Sequence, residues 1–159
     1  MRIAVEKQDG LEGKKLKFAI VISRFNPRIT GKLLEGSLRG LEECQVQKEN
    51  IRIVEVPGAF EIPQAAAWIA KYHQVDAVIC IGAVIRGGTP HFEYISTETA
   101  RGIMDAGLKS GIPFIFGVLT VNNLKQAVAR SSGRDNKGRE AALAAVEMAL
   151  LFKRIKGKQ

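Results

Sequence analysis

The chain of 159 residues is poor in the residue types that carry several common chemistries: it has two cysteines, two histidines and one tryptophan. Cys44 and Cys80 are too few for a disulfide framework, and without a close Cys/His cluster no metal site is expected. Two free thiols fit a reducing compartment, so a cytoplasmic location is expected. No apolar run approaches the roughly 20 residues that span a bilayer. The opening Met1-Arg2-Ile3-Ala4-Val5-Glu6 also lacks the apolar core of a signal peptide, so no membrane partner is expected. There is no Walker phosphate loop, no G-x-S-x-G elbow and no dinucleotide G-x-G-x-x-G, which withdraws support from three frequent α/β activities. No internal repeat or low-complexity segment divides the chain.

What remains is the composition of a soluble globular protein, 46% hydrophobic and 25% charged. The length suits a single domain over residues 1–159, with an N-terminal strand and connection over 1–16 and a basic tail over 156–159. Lysine and arginine exceed aspartate and glutamate by 24 to 16, a net charge of +8. The segment 153–158 carries four bases and no acid, which is half of that excess. A solvated tail explains it, and no specific nucleic-acid binding is expected.

Strands and helices alternate. Residues 3–6 suggest a short edge strand, followed by a polar connection rich in glycine and lysine. Residues 18–22 form a continuous apolar run, the pattern of a parallel strand covered on both faces. Asn26-Pro27 then opens a helix through Leu33, Leu34, Leu38 and Leu41. Further strands are expected over 51–56, 76–85 and 114–119. Helices are expected over 60–73, 90–110, 124–130 and 137–155, with Asn122 or Asn123 capping the third of these four. The order predicts a three-layer α-β-α sandwich around a mostly parallel four-stranded sheet, a flavodoxin-like arrangement. Ligands in such sheets bind beyond the carboxyl ends of the strands.

Those ends carry distinctive residues. After the third strand, Gly87-Gly88-Thr89-Pro90-His91 joins a glycine turn, a helix start and an imidazole, which together suit phosphate binding and proton transfer. His73 falls at a helix end, where a solvated or capping role fits, so His91 is the candidate for acid–base work. Phe25, after the first strand, is either a lid on the core or a flat face for stacking a heteroaromatic ring. After the second strand, Gly58 and Ala59 permit close backbone approach. Glu61 either favours a helix dipole or accepts hydrogen bonds from hydroxyl groups. Arg86 fits an anion contact or a structural ion pair equally well. Arg130, Arg134 and Lys137 make a basic turn between helices, with Glu140 placed to orient Arg130 or Lys137 or merely to favour the helix start.

Taken together, Ser23-Arg24-Phe25-Asn26, the segment 56–63, the segment 82–94, Phe116-Gly117-Val118-Leu119-Thr120 and Asn136-Lys137-Gly138 resemble the 6,7-dimethyl-8-ribityllumazine synthase family of riboflavin biosynthesis. The resemblance runs from about Lys17 to Arg154. It implies condensation of 5-amino-6-(D-ribitylamino)uracil with 3,4-dihydroxy-2-butanone 4-phosphate to give the lumazine, phosphate and water, with no cofactor. By the same resemblance Phe25 stacks on the pyrimidine, and Ala59, Phe60 and Glu61 hold the ribityl chain. The main chain at Val84 and Ile85 meets the pyrimidine edge, Gly87, Gly88 and Thr89 cradle the phosphate, and His91 shuttles protons. Phe116, Arg130 and Lys137 come from an adjacent subunit in similar proteins, which are pentamers or sixty-subunit shells. The segment between Arg130 and Asn136 is one residue shorter than is common in them. A lumazine-binding, shell-forming protein with weak catalysis is the alternative reading.

Overall fold

The computed structural model describes residues 11–157; the strand expected over 3–6 lies outside them. Four strands, β1 (Phe18–Ser23), β2 (Ile51–Val56), β3 (Ala77–Ile85) and β4 (Phe114–Val121), alternate with five helices. The helices are α1 (Pro27–Glu43), α2 (Ile62–Tyr72), α3 (His91–Ser110), α4 (Leu124–Ser131) and α5 (Lys137–Lys156). Every strand pair is parallel and the spatial order is β2-β1-β3-β4. The flavodoxin-like three-layer sandwich expected from the pattern is the fold observed.

Burial follows strand position. All six residues of β1 are buried, as are the first seven of β3, because both strands are flanked by neighbours and covered on both faces. At the edges β2 exposes Arg52, Ile53 and Glu55, and β4 exposes Phe116 and Thr120. The two faces hold separate cores. One joins Phe18, Ile20, Ile79 and Ile81 to α1 and α5 through Leu33, Leu41, Ala142 and Val146. The other joins Ala19, Val21, Val78 and Cys80 to α2 and α3 through Ile62, Ala66 and Ile103.

On the first face α1 and α5 approach closely because small residues meet there. A Cβ at Gly40 would come within 2.9 Å of the Ala142 methyl, and Ala141, Ala142, Ala145 and Ala149 are all buried. The connection before β1, expected to be polar, instead buries Leu11 and Leu16 in this core. The basic C-terminal segment is exposed, as expected, and its helix ends one residue beyond the expected Ile155. Helix α5 continues through Lys156, so Lys153, Arg154 and Lys156 occupy its last turn, where cations suit the negative end of the helix dipole. Lys153 pairs with Asp76 at 3.1 Å. Strand β4 likewise runs two residues past the expected Leu119, because Val84 and Ile85 continue the pairing to Thr120 and Val121. Among the described residues no helix is long and apolar enough to cross a membrane.

Candidate active site

The strand order reverses direction between β1 and β3, and at such a switch point the carboxyl ends of neighbouring strands diverge into a crevice. A cleft of about 430 Å³ opens there. Three strand ends build it: Phe25 and Asn26 after β1, Gly58 to Glu61 after β2, and Ala83 to Ile85 with Gly87, Thr89 and His91 after β3. Phe92 and Ile95 of α3 close the remaining side.

Phe25 is 70% exposed, so it does not lid the core; its ring stands at the mouth of the cleft. Asn26 sets this geometry. Its backbone is left-handed, with φ 56°, and its Nδ2 donates to the Ala83 carbonyl at 2.8 Å, tying the end of β1 to β3. Asparagine tolerates that conformation better than most residues. Pro27 then starts α1 immediately beyond.

Glu61 sits in a short 3-10 turn ahead of α2, not in the first turn of that helix. Its Oε2 accepts the Gly58 N–H at 2.9 Å, which folds the turn back on itself. A carboxylate has about four acceptor sites, so this bond leaves capacity for hydroxyl groups presented from the cleft.

Gly87 and Gly88 are exposed, and a Cβ on either would meet no protein atom within 4 Å. The missing side chains therefore leave open space over the turn instead of relieving a clash within the chain. Pro90 caps α3 and His91 is its first residue, one position later than the sequence suggests. In that first turn the Glu93 N–H donates to the Pro90 carbonyl at 3.1 Å, which leaves the N–H groups of His91 and Phe92 at the open start of the helix. Arg86 is committed to structure. It pairs with Glu93, donates from Nε to Asn122 Oδ1 at 3.1 Å and lies 4.3 Å above the Phe92 ring. The hydrogen bond from Arg86 Nη1 holds the Glu93 carboxyl below its usual range. The arginine thereby braces the glycine turn against α3 and the end of β4.

A second cleft, of about 740 Å³, lies beside the β4 edge and shares no lining residue with the first. Phe116, Arg130, Arg134, Lys137, Arg139 and Glu140 line it. Phe116 is 45% exposed. Lys137 Nζ bonds both Glu140 oxygens, at 2.8 and 2.7 Å, so it is this lysine that Glu140 orients. Arg130 donates from Nη1 to the Gln126 carbonyl at 3.3 Å. Arg139 forks onto Glu43, with bonds of 2.6 to 3.0 Å.

Of the residues singled out from sequence, Phe25, Ala59, Phe60, Glu61, Val84, Ile85, Gly87, Thr89 and His91 converge on the first cleft. Gly88 lies in the same turn without lining it. Phe116, Arg130 and Lys137 gather at the second. Phe92, within the segment 82–94 but given no role from sequence, and Ile95 also line this cleft; Ile95 is one helical turn from His91 and so shares its face, a spacing that points to it. Among the described residues no three His, Cys, Asp or Glu side chains are placed to hold a metal ion. Both thiols are buried and burial raises their pKa, which disfavours the reactive thiolate.

The geometry is thus one apolar cleft with a carboxylate, an imidazole and an open helix start, and one cationic cleft elsewhere on the same chain. A family model described as 6,7-dimethyl-8-ribityllumazine synthase matches residues 15–153.

Proposed function

The chain belongs to the 6,7-dimethyl-8-ribityllumazine synthase family, and from that premise we propose that it condenses 5-amino-6-(D-ribitylamino)uracil with 3,4-dihydroxy-2-butanone 4-phosphate. The observation that carries the reading is the division of labour between the clefts. The first offers a stacking face, hydroxyl acceptors and a proton carrier around an open anion seat. The second offers the cations that such a seat lacks.

In this mechanism the pyrimidine lies on Phe25 with its edge against the main chain at Val84 and Ile85. The ribityl hydroxyls reach Glu61 and the main chain of Ala59 and Phe60. The butanone phosphate sits over Gly87, Gly88 and Thr89, at the positive end of α3. The uracil's primary amine attacks the ketone and water leaves to form an imine. Loss of phosphate follows, and closure of the second ring expels a further water. Each step moves protons at carbon, nitrogen or oxygen, and His91 is the group placed to move them. The chain's remaining contribution is to hold two reactants in register.

Arg130 and Lys137 reach the phosphate from an adjacent copy of the chain, with Phe116 beside them, so that one complete site spans a subunit interface. A shared site requires a homo-oligomer; that it is pentameric or larger, cytoplasmic and free of a cofactor belongs to the same proposal through the family. Purified protein supplied with both substrates should form fluorescent lumazine with matching phosphate release. Rates no higher than the spontaneous reaction overturn the proposal. Tight binding of a product analogue with negligible turnover would instead mark a lumazine-binding protein.

A further inference from the structure

The turn that carries the cations of the second cleft is fastened from beneath by one buried side chain. Asn136 is 7% exposed and does not line the cleft. Its Oδ1 accepts the N–H groups of Gly138 at 2.9 Å and Arg139 at 3.2 Å. Its Nδ2 donates to the carbonyls of Lys32 at 2.9 Å and Ser131 at 2.7 Å. A carboxamide has two donors and an oxygen with two lone pairs, so these four bonds use its whole capacity.

The two halves of the amide have different consequences. The oxygen caps α5, which serine or aspartate would also do. The nitrogen joins the end of α4 to the middle of α1, which those residues cannot do with the same geometry. Helix α1 is shaped to receive it. A Cβ at Gly36 would overlap the Asn136 amide, and a Cβ at Gly138 would overlap the Leu33 carbonyl. Ser37 Oγ completes the seat by donating to the Gly138 carbonyl at 2.9 Å. Arg130 immediately precedes Ser131, and Lys137 immediately follows Asn136. The same amide therefore sets the spacing of both cations across a loop held by few other bonds.

We infer that Asn136 is a positioning residue for the anion-binding half of the site, fixing Arg130 and Lys137 relative to each other without touching substrate. The inference rests on the proposal that those two side chains bind the phosphate. It is tested with Asn136→Ser, which keeps the α5 cap but whose single, shorter donor cannot make both donated bonds, and with Ser37→Ala, which loosens the seat without altering position 136. Three constants are measured at several temperatures below unfolding: KM for the butanone phosphate, the inhibition constant for inorganic phosphate, and KM for the ribitylaminouracil. Asn136→Ser is expected to raise the two phosphate constants together by about tenfold while KM for the pyrimidine is unchanged. Ser37→Ala should move them in the same direction by about threefold. A role in folding alone would reduce the active fraction and leave all three constants as they were, and that result overturns the inference. Arg130→Ala separates the two readings. If it leaves the phosphate constants unchanged, the clamp itself is wrong. If it raises them while both other variants do not, the clamp stands and the role of Asn136 falls.

Discussion

The two clefts of this chain are held in shape by different means. The first is assembled by main-chain geometry, since three parallel strands in fixed register deliver Phe25, Glu61 and the 87–91 turn to one place. The second has β4 as one wall, but its cationic side is held by side-chain bonds, with Lys137 on Glu140, Arg139 on Glu43 and the Asn136 amide beneath. Sheet register is rigid because shifting it would turn every buried side chain to the wrong face. Exposed ion pairs are individually weak and adjustable. The proton-moving and ring-stacking half of the site is thus built into the fold, whereas the anion-binding half depends on a surface turn.

This contrast can be broken most severely at His91. Replacement by alanine is expected to slow turnover by about 100- to 10,000-fold, the usual range for a lost acid–base group. Pyrimidine binding, followed by fluorescence titration, should persist, because Phe25 and Glu61 are held by other elements. Loss of binding instead would make His91 part of the seat and blur the distinction between the two roles. Arg130→Ala should act at the other cleft, raising KM for the butanone phosphate by about ten- to a hundredfold, equivalent to a lost charged hydrogen bond. Mixing unfolded His91→Ala and Arg130→Ala chains and refolding them together should restore part of the activity, since some interfaces then combine two intact halves. No recovery would argue that one chain supplies the whole site.

The scaffold effects are smaller. Gly138→Ala forces a methyl group into the Leu33 carbonyl, and a destabilisation of about 1–3 kcal/mol is expected by calorimetry or denaturant melting. Phosphate affinity should suffer more than pyrimidine affinity in that variant. Equal loss at both clefts would show them to be mechanically coupled. Smallest is the acid response of the Glu43–Arg139 pair. The Arg139 hydrogen bond holds the Glu43 carboxyl below its ordinary range. A lowered folded-state pKa contributes stability that is fully present above the ordinary carboxylate range and fades as pH falls through the lower folded value. Because both side chains are more than a third exposed, the contribution is at most about 1 kcal/mol. Glu43→Gln should flatten the acid limb of a stability–pH curve by that amount.

Much of this was legible without coordinates. The apolar run beginning at Phe18, the Asn-Pro helix start and the Gly87-Gly88 break each follow from local stereochemistry, so their elements appear within a residue or two of expectation. The buried status of Leu11 and Leu16 was not legible, because glycines and lysines surround them and their partners in the core lie far along the chain. Arg86 was undecidable for a related reason. A guanidinium suits an anion or a carboxylate equally, and only the placement of Glu93, Phe92 and Asn122 around it selects the latter. Asn136 stood out merely as part of a motif, since its bonds to Lys32 and Ser131 require α1 to lie against the α4–α5 turn.

By itself the sequence determined the order and type of the described elements, the parallel sheet and the family. Those depend on periodicity, on glycine and proline at particular turns, and on which residues cannot face water. The resemblance assigned Phe116, Arg130 and Lys137 to an adjacent subunit; what the tertiary structure decided is where the two groups of candidate residues lie on one chain, in two clefts with no shared lining residue. Separation along a chain says nothing of distance across a sheet; here strand order places the 87–91 turn beside the β1–β3 crevice and Arg130 with Lys137 beyond the β4 edge.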